Sequence, residues 1–526
     1  MATRKEQLDA FNFARRRLVA NLVVPTATGS DEGAPRPVKT FATSIILSAL
    51  AVVAVMVLGV FKPSAPSGWQ DGLAVDSSSG ATYITQNNEL HQVYNITSAR
   101  LILGTNFAKY DVPDSTLNSS GITIGAPVGI LGAPEDVPAA GNMNLTQWSF
   151  CQSEVIASGG DKEGSPTYLE IGYGPSASTV QWTKYSGEAL IVHDSAGYVY
   201  LIDGDYKYYI GDSAPGSSDA NNVQTILRAI NQNGAFPTAV TGFWVSDAWL
   251  GAFAQGTKIT FPTLSNLGEK VTSPNQPGDE VGEYGEFNTG SNLIYAVQTE
   301  NGVLELSHFA YDLYIASGSL SQSHIPQFPQ GTLTQSAITE ANNPSTPVAE
   351  QVFDPNSYGA DWPVLPPSLV GTDTSSPTTS NICVGYTGQS EDSVPTLTTW
   401  TSSQLPYGTP SSQFGLSQSG SNVEANTVLV KPGYGLLATA PGGEYLIEDS
   451  GFRYPLQSGT VSVAGASPSP SATASGSGSS KPVSAIDQLL YTEVKTEPVP
   501  KSWLNLLQGG AALNPSTAGQ TPQSGS

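Results

Sequence analysis

Residues 198–210 read YVYLIDGDYKYYI, and this stretch decides what kind of fold the chain builds. Alternation sends Tyr198, Tyr200 and Ile202 to one face of an entering strand and Val199 and Leu201 to the other, the period-2 signature of a pleated strand. Asp203 and Gly204 then form a pair that readily takes the positive φ angles of a tight hairpin turn. The pattern recurs in ATYITQNNELHQV (81–93), IYAVQTENGVLEL (294–306) and EYLIEDSGFRYPL (444–456), with turn pairs Asn87-Asn88, Asn301-Gly302 and Ser450-Gly451. Each copy carries a tyrosine on its entering strand: Tyr83, Tyr198, Tyr295 or Tyr445.

Helical patterns follow the hairpins. SDANNVQTILRAI (218–230) can be capped by Ser218 or Asp219, SHFAYDLYIA (307–316) by Ser307, and NITSARLIL is a weaker candidate after the first copy. Intervals of 116, 98 and 149 residues between the turns exclude a regular solenoid, whose period is fixed and shorter. Four related modules with different insertions fit better; four independent hairpins are the alternative. The expected fold is mainly β with short helices (α+β), four small repeat modules around a central domain. The modules are placed at 68–110, 185–235, 290–320 and 431–464, and the central domain at 111–155 and 350–430, which lack the repeat. GASPSPSATASGSGSSKP marks a low-complexity linker at 465–482, too poor in apolar surface to order itself. A docking segment (483–515) containing VPKSWLNLLQGGAALNP and a disordered tail (516–526) complete the layout.

Near the N-terminus, KTFATSIILSALAVVAVMVLGVFK (39–62) holds 22 uncharged residues between two lysines. At about 1.5 Å per residue they span roughly 33 Å as a helix, the hydrocarbon thickness of a bilayer and more than a secretory signal needs. A single transmembrane helix is predicted at 40–61, in preference to a cleaved signal or a buried core helix. Residues 1–39 carry seven basic side chains, among them Arg15, Arg16, Arg17, Arg36 and Lys39, against four acidic ones; the rest carries 14 basic and 40 acidic residues. The balance, with Lys62 on the far flank, puts the N-terminus in the cytoplasm and the acidic bulk outside the cytoplasmic membrane. Such a region lacks the basic stripe that nucleic-acid binding requires. RKEQLDAFNFARRRLVANLVV reads as an amphipathic cytoplasmic helix with Leu8, Phe11, Leu18 and Leu22 near one side. Arg15 to Arg17 could meet anionic headgroups or an acidic partner, or simply enforce topology.

Cys151 and Cys383 are the two cysteines, and an extracytoplasmic compartment permits them to pair; two unrelated buried thiols are the alternative. Enzymatic constellations are thin. His91, His193, His308 and His324 form no H-E-x-x-H and no zinc spacing, and VHDS (192–195) has neighbours that alternate faces. No Gly-Lys dipeptide exists to build a Walker A loop, and no catalytic, cofactor or metal residue is assigned.

Taken in order, RKEQLDAFNFARRRLVANLV, one membrane span, YNITSARLILG, VGILGAPEDVP, WSFCQSE, VLVKPGYGLLA, GFRYPL and VPKSWLNLLQGGAALNP resemble the EccB family of actinobacterial ESX (type VII) secretion systems, over about residues 3–517. That resemblance implies a membrane-core subunit that assembles with EccC, EccD and EccE type proteins and multimerises through its outer domain. It also implies four repeat modules, similar to cell-wall-binding modules of a phage lysin, about a central domain holding a disulfide. The Ser/Gly/Pro insertion departs from the family pattern. Members are sometimes labelled ATPases, yet no residue here matches a nucleotide site. The expectation is a structural secretion subunit with no cofactor; an ATP hydrolase and a peptidoglycan-bound tether are the alternatives.

Overall fold

The computed structural model describes residues 3–23, 37–60, 65–86, 88–155, 166–173, 182–185, 188–231, 242–272, 276–334, 353–354, 356–370, 380–387, 397–402, 405, 416–417, 424–461 and 482–522. Arg36, Lys62, Asn87 and nearly all of the low-complexity insertion lie outside them. The chain divides into two compact units, the first comprising residues 1–67, 76–78 and 111–120 and the second the remainder.

In the first unit, helix α1 (Arg4–Val23) opens with the Thr3 backbone N–H donating to the Glu6 carboxylate at 2.8 Å. Leu8, Phe11, Leu18 and Leu22 are all exposed, as is Phe13. At 100° per residue Arg15 falls inside the arc of the four apolar residues and Phe13 well outside it, so the helix forms but its two faces separate less cleanly than expected. Helix α2 (Pro37–Val60) runs 24 residues, about 36 Å at 1.5 Å per residue. Its described side chains, Phe41 to Met56, are exposed throughout. Among the described residues, which on α2 include side chains only from Phe41 to Met56, no helix is long and apolar enough to cross a membrane.

The second unit contains four three-stranded antiparallel meanders. They are Leu73–Asp76, Thr82–Gln86 and Glu89–Gln92; Glu188–His193, Tyr198–Asp203 and Tyr206–Asp212; Tyr284–Asn288, Leu293–Thr299 and Gly302–Leu306; and Gly435–Ala440, Gly443–Glu448 and Phe452–Leu456. Each is followed by a helix. Asn95 caps Ile96–Leu103 by accepting from the Ser98 N–H, Ser307 caps His308–Ile315 through Ala310, and Ser484 caps Ala485–Gln488 through Ile486. Asp219 precedes Ala220–Ala229 without a side-chain cap bond.

Three turns differ in register from the sequence reading. Asp203 pairs with Tyr206, so the loop is Gly204-Asp205; φ is positive only at Gly204 (56°), as in a type II′ turn. Thr299 pairs with Gly302, which makes Glu300-Asn301 the loop and Gly302 the first residue of the return strand. In the fourth copy Asp449, Ser450 and Gly451 form a three-residue loop, with Gly451 at φ 81° in the left-handed position. In the first copy Gln86 faces Glu89 and Asn88 takes φ 61°, while Asn87 lies outside the described residues. Cross-strand burial sets the register and the loop absorbs the difference.

Val199 and Leu201 enter a core shared by the second and third meanders, with Val297, Leu306 and Phe309. Ile202, on the opposite face, joins the core of a seven-stranded sheet. The first and fourth meanders share another core through Leu73, Ile84, Leu101, Leu437, Leu446 and Tyr491.

The seven-stranded sheet has the order Leu416–Ser417, Thr427–Val430, Thr167–Ile171, Gln147–Val155, Ser380–Thr387, Leu397–Ser402 and Trp182–Tyr185. It corrects the expected central domain. Residues 111–146 contribute no strand to it, whereas 167–171 and 182–185, unassigned from sequence, do; Ser368–Val370 instead pairs with Glu188–His193. Trp182–Tyr185 pairs with Leu397–Ser402, and Thr167–Ile171 lies between the sequence-adjacent Gln147–Val155 and the distant Thr427–Val430, so no tight local turn announces either. The fourth meander also needs the C-terminal segment. Thr496–Pro498 adds in parallel to Gly435–Ala440, and Gln508–Gly509 to Phe452–Leu456. Residues 483–513 therefore complete a module and do more than dock on it. The tail is corrected as well: Pro515–Ala518 is a helical turn capped by Asn514, and Ala518 is fully buried.

Candidate assembly site

Cys151 and Cys383 lie directly opposite each other on neighbouring antiparallel strands and are joined as a disulfide across 232 residues of chain. Both are fully buried, under Trp400, Leu405 and Tyr168. The opposite face of the same strands carries Trp148, Phe150, Ile382, Val384 and Tyr386.

Against that face sit two copies of a motif that the sequence reading passed over. VSDAWLGAF (245–253) and VPKSWLNLL (499–507) match position by position at the valine, tryptophan and leucine, and VPDSTL (112–117) repeats the valine and leucine. Each forms a short helix: Asp247–Gly251, Lys501–Leu504 and Asp114–Ser119. Trp503 is fully buried, its ring 6.3 Å from that of Trp148 and 5.7 Å from that of Tyr386. Its indole N–H donates to the Ala252 carbonyl at 3.0 Å, joining one motif to the other, and Tyr386 Oη donates to the Pro498 carbonyl. The equivalent carbonyl in the second copy, Leu506, is taken by the Ala425 N–H at 3.0 Å. Trp249 Nε1 is left without a hydrogen-bond partner among the described residues. Distant parts of the chain thus converge on one apolar hub whose geometry is set by packing.

Polar clusters elsewhere serve joints. Asp136 accepts from Arg100 Nε at 2.8 Å and lies 3.0 Å from Lys109 Nζ, while the Arg100 guanidinium rests 4.1 Å above the Phe107 ring. Burial raises the Asp136 pKa, but the two cations and the Val137 N–H outweigh it and hold the carboxyl below its ordinary value. Glu448, at the end of a strand and nearly fully buried, accepts from the Ser450 N–H at 2.9 Å and from its hydroxyl. Burial pushes Glu448 up to about 7, with the Asp449 charge adding to the rise.

The four histidines stay apart. His91 Nδ1 lies 2.8 Å from the Ala126 carbonyl, His193 stacks on Trp244 at 5.1 Å with its pKa lowered by burial, His308 stacks on Tyr295 at 4.4 Å, and His324 ends a helix at φ 56°. Among the described residues no three His, Cys, Asp or Glu side chains are grouped to hold a metal ion.

Repeated meanders around a disulfide-linked sheet define a scaffold fold, and comparison with known proteins gives the class a family. A family model described as "Type VII secretion system ESX-1, transport TM domain B" matches residues 1–523, and the chain belongs to that family. The ESX-1 secretion system ATPase EccB1 of Mycobacterium tuberculosis is 31% identical over 156 residues, 30% of this chain and 32% of that protein. The chain thus spans about a third of the length of that relative in the match. The ESX-3 secretion system ATPase EccB3 of the same species is 22% identical over 481 residues, covering 88% of this chain and 82% of the relative. Among solved structures, the EccB3 dimer from the ESX-3 core complex superposes with a TM-score of 0.56 at 19% identity, covering 85% of this chain and 99% of that one. The periplasmic assembly of the ESX-5 inner membrane complex gives 0.54 at 19%, covering 88% and 99%. These neighbours share the fold.

Proposed function

We propose that this chain is a structural, membrane-anchored core subunit of a type VII secretion machine, crossing the cytoplasmic membrane once at residues 40–61. The observation that carries the reading is the exposed, largely apolar run Phe41–Met56 on a helix of 24 residues, whereas the body gathers most of its large apolar side chains into three main cores. Side chains apolar on every side of a helix suit lipid and are costly in water. The +3 balance before the helix and the acidic bulk after it favour a cytoplasmic N-terminus and an extracytoplasmic body. EccC, EccD and EccE type subunits and further copies of this chain are the partners this reading names, the last in keeping with the dimer solved for a relative. Protease added to intact spheroplasts should degrade the body, and mild detergent extraction should recover the chain within a larger complex. Recovery of the chain alone would refute the assembly role.

The relatives are named ATPases, which makes ATP turnover the second reading. Purified full-length chain should show no turnover above a buffer blank; turnover retained through repeated purification would favour the enzyme. Sedimentation with purified cell-wall material tests the peptidoglycan tether.

A further inference from the structure

The joint between the first and fourth meanders contains one acidic side chain that packing encloses almost completely. Glu448 ends the strand Gly443–Glu448, faces Gly435 across the ladder and is 3% exposed. Gly435 is hemmed in by Met143 and Pro138, where a Cβ would come within 3.0 and 3.3 Å of side-chain atoms. Tyr491, fully buried, donates to the Pro138 carbonyl at 2.5 Å and belongs to the same core as Tyr454 and Leu437. The carboxylate meets the Ser450 N–H and hydroxyl, and that hydroxyl lies 3.3 Å from Tyr454 Oη.

The charged and titratable groups around Glu448 are few. Asp449, in its own turn, is pinned by the Gly433 N–H at 2.7 Å and adds negative charge. Tyr454 comes from the next strand and Tyr491 from the segment after the helix Ala485–Gln488, both neutral hydroxyls. Beyond Tyr491 stand Arg100 and Asp136, paired with each other. Among the described residues no cation is bonded to Glu448, whose carboxylate is met by the Ser450 N–H and hydroxyl and by the neighbouring Tyr454 hydroxyl.

We propose that Glu448 acts as a proton-operated clasp: with its carboxyl protonated it closes the Asp449–Gly451 turn onto the joint between the first and fourth meanders, and ionisation loosens that turn. The joint is therefore tighter in acid than in mildly alkaline surroundings. A buried carboxyl without a counter-cation favours its neutral form, because desolvation penalises the charge. The sign follows from linkage. With a folded value of about 7 against 4.5 for the free group, the closed state holds the extra proton between those limits, and its advantage is complete below 4.5 and lost as pH rises through 7. The constant for opening the turn should rise on the order of 70-fold from about pH 5 to about pH 8 and then level off.

Hydrogen exchange of the full chain in detergent, corrected for intrinsic rates, reads that constant in peptides covering 443–456. Wild type should lose protection by tens-fold across this range, while Glu448→Gln, neutral at every pH, should stay protected and flat. Asp449→Asn, which removes the neighbouring negative charge that raises the Glu448 pKa, should move the wild-type transition to lower pH, reporting on the same carboxyl without altering it. Carbon-13 glutamate labelling follows the Glu448 carboxyl directly in wild type and does not depend on how either variant folds. A midpoint below about 5.5, or a pH-dependent loss of protection that survives in Glu448→Gln, would overturn the proposal.

Discussion

The two repeat-equivalent tryptophans offer a controlled perturbation, because one hydrogen bond distinguishes them. Trp503 and Trp249 are both fully buried in the same core. Replacing Trp503 by alanine removes a complete buried indole, which costs about 3–5 kcal/mol, including its edge contacts with Trp148 and Tyr386. Phenylalanine separates the contributions. Trp503→Phe keeps a ring but leaves the Ala252 carbonyl buried without its donor, adding about 1–3 kcal/mol to the loss of ring volume. Trp249→Phe loses a similar ring volume, yet its Nε1 has no bond to lose among the described residues and its burial already carries a penalty. The expected order of cost is Trp503→Ala, then Trp503→Phe, then Trp249→Phe, with about 1–2 kcal/mol between the two phenylalanine variants. Urea titration of the full chain in detergent, followed by circular dichroism at constant m value, measures the differences. Equal midpoints for the two phenylalanine variants, or a lower one for Trp249→Phe, would refute the claim that the indole bond ties the two motifs together.

Three further outcomes are expected. Replacing Cys151 and Cys383 together by serine should cost up to about 4–5 kcal/mol, since the bridge closes 232 residues, and native protein unfolded without reductant should show no free thiol. Asp136→Asn should destabilise by about 1–2 kcal/mol near neutral pH through loss of the Arg100 and Lys109 contacts. Because the folded carboxyl lies below its ordinary 3.8, that stabilisation is present above 3.8 and fades as pH falls through the lower folded value, so acid melts of variant and wild type should converge. Replacing residues 462–481 by a short turn should change stability by less than about 1 kcal/mol, because loop-closure entropy varies slowly with length and Ser458–Gly459 already pairs with Val483–Ser484 at the base. A large loss on urea titration would mean that the insertion supports the fold.

What the sequence disclosed follows from how local each determinant is. Alternation in 198–202 was readable because the two strand faces differ: Val199 and Leu201 are fully buried, whereas Tyr198 is exposed and Tyr200 only partly buried. The cap Ser307 was readable because a side chain three residues from its N–H partner needs no tertiary help. Turn register was not, since Asp-Gly and Asn-Gly suit several loop lengths and cross-strand packing chooses among them. The strands at 167–171 and 182–185 gave no sign because 182–185 pairs with 399–402 and 167–171 is completed on one side by 427–430, both far removed in sequence. The tryptophan motif was hidden for another reason: its copies share a valine, a leucine and, in two of three, a tryptophan, too sparse a signal until the preceding strands align them.

The placement of the insertion shows how such a chain tolerates change. A module here is a meander, a capped helix and strands returning to the sheet edges, so its parts need to meet in space and not in sequence. In the fourth copy the helix Ala485–Gln488 lies beyond a low-complexity stretch, yet it packs with Leu437 and Leu446 of the meander as Leu101 packs with Ile84 in the first. Two short strands, Ser458–Gly459 and Val483–Ser484, hold the ends of the insertion together, so its length costs only slowly rising closure entropy. The same logic explains the central sheet: Cys151 and Cys383 come from opposite ends of a stretch containing two whole modules, and the disulfide fixes a register that those modules alone leave to packing. A scaffold organised this way can lengthen its connections while its hub, with Trp503 against Trp148 and Tyr386, holds the modules at one angle.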